Sequence, residues 1–111
     1  MATATLRHLR MTPTKVRRVA RLVSGKPLGE AAHILALDTH ACSGVLAKVI
    51  ASAAANAVNN EGANEDKLMV STIMVDQGKS LRRTLPRSRG RADIIRKRMS
   101  HITVVVEEKT A

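Results

Sequence analysis

The sequence is short, strongly basic and free of aromatic side chains. Its 111 residues carry a formal net charge of +10, and it contains no Phe, Tyr or Trp. A chain of this length folds as one domain, whose core is packed here from aliphatic side chains. The lack of aromatic residues excludes recognition of single-stranded nucleic acid by stacking of bases on aromatic rings.

One strand and three helices are predicted from the N-terminus onward. Residues 4–10 alternate weakly between apolar and polar side chains, which predicts a short edge strand. Thr12 and Pro13 are typical of a helix start, and the valine spacing predicts a basic amphipathic helix to about Ser24. A short second helix is expected over 27–37. A longer, alanine-rich helix is expected from about 41 to 60, where Asn and Gly residues end it.

Two β-rich runs lie on either side of a basic stretch. They are Leu68–Asp76 and His101–Glu108, and we expect them to pair antiparallel. If this pairing continues outward, each leg of the ribbon has about twelve residues and reaches roughly 40 Å. A domain of this size has a radius of gyration of only about 13 Å, so the ribbon projects beyond it. The bend is expected at Pro86 and Gly90.

The predicted fold class is therefore α+β. A small antiparallel sheet packs against three helices, and a long β-hairpin protrudes from them. The single domain, residues 1–111, is expected to comprise a body of about 1–76 and 101–111 and an extended basic hairpin arm of about 77–100.

Charge is unevenly distributed along the chain. The formal charge is +7 over 1–26, −4 over 27–78, +8 over 79–98 and −1 over 99–111. Two basic zones around a mildly acidic one predict one face that binds a polyanion and another that faces solvent. Arginine outnumbers lysine twelve to seven, which favours bidentate phosphate contacts and stacking on bases.

The segment Gly78–Ser100 contains nine basic residues and one acid, Asp93. A run of charged residues usually forms a solvated loop. This segment, however, has too few acids to balance its positive charge and is too long to be ordered by its own contacts. Both features favour nucleic acid as its binding partner. It lacks the apolar face of a membrane-binding segment. Folded RNA is favoured, with phosphates contacted by basic side chains and 2′-hydroxyls by Ser80, Thr84 and Ser88. The alternative is a DNA-binding, DNA-bending basic β-arm protein, which predicts a dimer interface and similar affinity for duplex DNA.

Catalytic and metal-binding patterns are not found in the sequence. Residues 24–26 lack the flanking residues of a phosphate-binding loop, and His33, His40 and Cys42 do not have zinc-ligand spacing. Cys42 is the only cysteine and begins an apolar helical stripe, so we expect a buried thiol. We expect no enzymatic activity, metal or cofactor. The first residues lack a signal-peptide core and no run is long enough for a membrane span, which predicts a cytoplasmic protein.

Three runs, in this order, span essentially the whole chain: RMTPTKVRRVARLVSGKP, SAAANAVNN and VDQGKSLRRTLPRSRGRADIIRKRMSHITVVVEE. They resemble ribosomal protein twenty-two of the bacterial large subunit. The resemblance implies a body on the outside of that subunit and a hairpin that lines the peptide exit tunnel, near the macrolide antibiotic site. It implies 23S rRNA, neighbouring large-subunit proteins and the nascent peptide as partners. It also implies a role in subunit assembly.

The candidate RNA-binding residues are basic side chains near the N-terminus, on the first helix and along the arm. They are Arg7, Arg10, Lys15, Arg17, Arg18, Arg21, Lys26, Lys79, Arg82, Arg83, Arg87, Arg89, Arg91, Arg96, Lys97 and Arg98. The hairpin tip that the resemblance places at the tunnel wall is Arg87, Ser88, Arg89, Gly90 and Arg91.

Overall fold

The computed structural model describes residues 2–108. Its helices and strands, in chain order, are β1 (Ala2–Leu9), α1 (Pro13–Val23), α2 (Leu28–Leu37), α3 (Ser43–Glu61), β2 (Leu68–Gln77), β3 (Leu81–Pro86), β4 (Ala92–Lys97) and β5 (Ser100–Glu108). Single 3₁₀ turns lie at Glu65–Lys67 and Ser88–Gly90. The predicted α+β class is confirmed, and the three helices begin and end within two residues of the predicted limits.

Helix α1 forms because its apolar residues recur at helical spacing behind a proline. Pro13 takes the first helical position, where a missing N–H costs nothing, and Val16, Val19 and Val23 are buried on one face. The helix ends before Gly25, whose φ of 78° suits a residue without Cβ. The loop that follows is fixed to β2, because the Gly25 N–H donates to the Val70 carbonyl at 2.8 Å.

Helix α3 is the longest element and covers the sheet. Its buried face includes Leu46, Ile50, Ala53 and Ala57, and its alanines allow close approach to β1 and β5. It ends at Gly62, which adopts the left-handed conformation common after helices.

The body sheet has three antiparallel strands in the order β1-β5-β2. The central strand β5 buries Ile102, Val104 and Val106 under the helices, and the residues between them are half-buried on the other face. Burial of each of these three apolar side chains under the helices stabilises the fold by about 1.5–3 kcal/mol. The predictions of an edge strand near the N-terminus and of antiparallel pairing between the two β-rich runs are confirmed.

The pairing does not continue without interruption from the body to the tip. Strands β3 and β4 form a separate two-stranded sheet, and its legs have six residues each. The regular ladder is interrupted between the Gln77–Ser100 pair and the Leu81–Lys97 pair. One backbone hydrogen bond, from the Gly78 N–H to the Met99 carbonyl at 2.7 Å, crosses this interruption. A Cβ on Gly78 would lie 3.1 Å from the His101 ring and 3.3 Å from that carbonyl, so glycine suits this close approach.

The arm nevertheless projects, as predicted. The principal extents are 65 × 26 × 17 Å, and the radius of gyration is 17.2 Å, against about 13 Å for a compact domain of this size. No helix within residues 2–108 combines the length and apolar composition needed to cross a bilayer.

Candidate nucleic-acid interface

All sixteen candidate RNA-binding side chains are exposed. They lie at the end of β1, along α1 and its flanks, and on both strands and the tip of the arm. Only one of them, Arg87, forms an ion pair with a carboxylate among residues 2–108. Positive charge therefore predominates along α1 and the arm, which is the electrostatic pattern of a polyanion-binding protein.

The two faces of the arm differ. Leu81, Leu85 and Ile95 share one face and are half-buried, whereas the other face is exposed throughout. On that exposed face Arg82 lies directly opposite Arg96. Like charges that face each other across a strand pair destabilise the pairing. Repulsion between these two arginines therefore destabilises the isolated arm.

The tip is a short closed loop with an internal ion pair. The Arg87 N–H donates to the Arg91 carbonyl at 2.6 Å, and Arg87 Nε donates to Asp93 Oδ2 at 2.8 Å. Arg89 and Gly90 both have positive φ, near 61° and 73°. The bend predicted at Pro86 and Gly90 therefore lies in this segment, and Arg89 and Arg91 form no ion pair with a described carboxylate.

A basic groove of about 850 Å³ separates the body from the root of the arm. Met11, Cys42, Leu81, Ile95 and Met99 supply apolar parts of its lining. In the part of the chain that the structure describes, seven cationic side chains and no carboxylate line it: Arg10, Lys15, Arg18, Arg83, Arg96, Lys97 and Arg98. We call this site, defined by these residues, the basic groove.

Helix α1 adds to the positive potential of the basic groove. Its first turn has no acidic residue, and Thr12 makes no side-chain cap, so the positive end of the helix dipole is not neutralised locally. Lys15 and Arg18 project from this helix into the groove lining. An anion in the groove therefore meets side-chain charge and helix dipole of the same sign.

Arg17 has an intramolecular role that its charge alone did not predict. Its Nε and Nη2 atoms donate to the Val75 carbonyl at 3.1 and 2.7 Å. This links α1 to the end of β2 beside the arm root. Ser100 makes a similar link, because its buried hydroxyl donates to the Met11 carbonyl at 2.6 Å. These contacts fix the geometry of the groove.

Two of the residues considered as metal ligands, His40 and Cys42, have structural surroundings. Ser43 Oγ donates to Asp38 Oδ2 at 2.6 Å, and His40 Nδ1 lies 2.7 Å from Asp38 Oδ1. The hydrogen bond from Ser43, and next that from His40, lower the pKa of Asp38 from 3.8 to about 2. Cys42 is buried, as predicted, and burial raises the pKa of its thiol. Within residues 2–108 no three His, Cys, Asp or Glu side chains cluster as a metal site would require.

The loop of residues 24–26 has no free amides arranged for phosphate. The Gly25 N–H donates to Val70, and the Lys26 N–H donates to the Val23 carbonyl. His101 accepts a hydrogen bond on Nδ1 from the backbone N–H of His8 at 3.2 Å. The two histidine rings meet edge to face, with centroids 5.1 Å apart.

The cationic residues of the groove could be predicted from the sequence, but the groove itself could not. Its apolar lining comes from residues far apart in the chain, such as Met11, Cys42 and Met99. The available signal was Gly78, since an isolated glycine in a strand pattern indicates a bulge or close backbone approach. The position of Gly78 in the sequence therefore indicates where the root of the arm lies.

Comparisons with known proteins identify the family of the chain. The family model described as ribosomal protein L22p/L17e matches residues 4–107. The large ribosomal subunit protein uL22 of Thermus thermophilus is 53% identical over 108 residues, covering 97% of this chain and 96% of that protein. The uL22 proteins of Thermoanaerobacter sp. (strain X514) and Acetivibrio thermocellus are 50% and 51% identical, covering 97% and 96% of this chain and 97% and 86% of their own lengths. The chain therefore belongs to the ribosomal protein L22p/L17e family.

Proposed function

We propose that this chain is a structural constituent of the large ribosomal subunit that binds 23S rRNA, assists subunit assembly and lines the polypeptide exit tunnel with its arm. The observation that carries the proposal is the strongly cationic surface that runs from α1 across the basic groove to the arm. Family membership supports the ribosomal setting.

Membership of a ribosomal-protein family also confirms the expectation of a non-catalytic protein. Its place of action is the ribosome, in the cytoplasm. Its contribution to the particle is therefore structural: it brings RNA segments together and holds them.

The mechanism is charge neutralisation by cationic side chains of the body and the arm. Phosphates that enter the basic groove are contacted from α1 on one side and from the arm root on the other. On the exposed face of the arm, phosphates between Arg82 and Arg96 convert a repulsive cross-strand pair into a bridged one. Guanidinium planes also stack on unpaired bases, which are common in folded RNA.

The arm has the shape required to reach between RNA segments. Its legs of six residues extend about 20 Å at 3.3 Å per residue. The arm has only two strands, and a lone hairpin of this kind is marginally stable in water. Surrounding RNA would therefore hold the arm in its extended form and support its tip at the tunnel wall.

Binding to 23S rRNA tests the electrostatic mechanism. If about six phosphates are neutralised, the logarithm of the association constant falls with log salt at a slope of roughly −4 to −5. A flat salt response would remove the electrostatic account. Duplex DNA serves as competitor: equal affinity for DNA, together with a dimeric chain, would favour the DNA-bending alternative.

Substitutions at the tip test the proposed tunnel role. Replacing Arg89 and Arg91 with glutamine should change macrolide sensitivity or nascent-peptide stalling while leaving subunit assembly intact. Gradient sedimentation measures assembly, and translation with and without drug measures tunnel behaviour. Failed assembly with an unchanged drug and stalling profile would contradict the tunnel role.

A further inference from the structure

The body carries a second groove, of opposite character, between α2 and α3. Leu28, Leu35, Ile50 and Leu68 supply apolar lining, and the groove has a volume of about 790 Å³. Val58 lies at its edge with 36% of its surface exposed. We call this site the acidic groove, because Glu30, Glu65 and Asp66 line it and no Lys or Arg among residues 2–108 does.

We propose that the acidic groove binds an extended, lysine- or arginine-containing peptide segment of another protein of the large subunit. The inference rests on the proposed function, since it takes the assembled particle as the setting. It adds the surface and the chemistry of the partner to the general expectation of neighbouring proteins.

The charge of the groove selects against RNA. The three carboxylates lie at one end of α2 and on the 3₁₀ turn that follows α3, and the described lining residues carry a formal charge of −3. A phosphate backbone would be repelled by this rim, whereas a cationic peptide is attracted to it. The cationic surface of the chain lies elsewhere, along α1 and the arm, so the two grooves have different partners.

The shape of the groove favours an extended peptide. It follows α3 from Ala47 to Asn59, a length of about 18 Å at 1.5 Å per residue. Five or six residues of extended chain cover that distance at roughly 3.3 Å each. The α3 side of the groove is lined largely by alanines, including Ala51 and Ala54, which leaves room for a peptide backbone to approach the helix. Apolar side chains of the peptide would contact Leu28 and Val58, which are partly exposed.

Site-directed photo-crosslinking in assembled large subunits tests the proposal. A photoreactive leucine analogue replaces Val58 in one variant and Ile94, which is 66% exposed on the arm, in a matched variant. We expect residue 58 to crosslink to a lysine- or arginine-containing segment of one other protein, identified by mass spectrometry. We expect residue 94 to crosslink to rRNA.

Charge reversal supplies the second readout. Asp66→Lys should lower the yield of the crosslink from residue 58 by roughly fivefold, because it places a like charge beside the cationic peptide. Asp76→Lys, which reverses an exposed acid outside the groove, should leave that yield unchanged. A synthetic peptide with the crosslinked sequence should bind the free chain and lose affinity with Asp66→Lys.

The outcomes separate this inference from the proposed function. Crosslinks from residue 58 to rRNA, to a second copy of this chain or to nothing would overturn the peptide site, as would equal effects of the two reversals. If residue 94 also fails to crosslink to rRNA, or the chain does not sediment with the large subunit, the proposed function itself fails.

Discussion

Replacing Lys15 and Lys97 with glutamine removes two of the seven cations that line the basic groove, one from α1 and one from the arm. Both side chains are exposed, so the substitutions leave the core intact. Lys48 and Lys67 are exposed lysines that do not line this groove. Their double replacement with glutamine is a matched control, because both variants have the same net charge.

The expected magnitude follows from counterion release. Each phosphate contact contributes about 0.7–0.9 to the slope of log affinity against log salt, so losing two makes the slope shallower by roughly 1.4–1.8. Between about 50 and 200 mM salt, the affinity gap between wild type and the groove variant should therefore narrow by roughly tenfold. The control variant should keep the slope of the wild type.

Filter binding or fluorescence titration with 23S rRNA over this salt range measures both slopes. If the groove pair and the control pair lose affinity equally, net charge alone governs binding, and the basic groove is not an RNA site. An unchanged slope in both variants would mean that neither lysine pair contacts phosphate.

Three further predictions concern stability. Deleting Arg83–Ile94 should leave the body with cooperative thermal melting, since those residues belong to the separate arm sheet; a broad, non-cooperative melt would refute that separation. Arg17→Gln should lower the free energy of unfolding, measured in urea, by about 1 kcal/mol through loss of the hydrogen bonds to the Val75 carbonyl. Arg18→Gln should leave this free energy unchanged. Equal effects of the two substitutions would contradict the structural role of Arg17. Because the pKa of Asp38 is lowered from 3.8 to about 2, the stability it contributes is present above about pH 4 and lost as pH falls toward 2. In the Asp38→Asn variant, stability should fall less as the pH is lowered from 5 to 2. Identical urea midpoints for the variant and the wild type over this pH range would contradict the stabilising role of Asp38.

The helices and the central strand could be predicted because their signals are local. Valines at helical spacing behind Pro13 specify α1, and Gly62 ends α3 by adopting a backbone conformation that few other residues favour. Alternation of Ile102, Val104 and Val106 specifies the buried face of β5. Each of these features is contained within a few consecutive residues.

The break in the arm could not be predicted because it depends on a contact across the fold. Gly78 is suited to its position only because the His101 ring and the Met99 carbonyl approach it, and these residues follow it by more than twenty positions. Unbroken pairing was the simplest extension of the two strand patterns. A glycine within a strand pattern indicates where such an extension is weakest.

In the candidate site, too, local features could be predicted and contacts between distant residues could not. Exposure of the cations could be predicted, because isolated charge is rarely buried. The use of Arg17 to hold Val75, and of Arg87 to hold Asp93, could not, since both depend on the final distances between side chains and backbone. The groove between body and arm arises only after both have folded.

Backbone amide hydrogen exchange tests most directly the claim that RNA orders the arm. In the free chain, amides of β5 should be strongly protected and those of residues 81–97 should exchange fast, because the arm lacks a core of its own. With 23S rRNA bound, the arm amides should become protected. An arm as protected as β5 without RNA, or one whose exchange RNA leaves unchanged, would contradict the account.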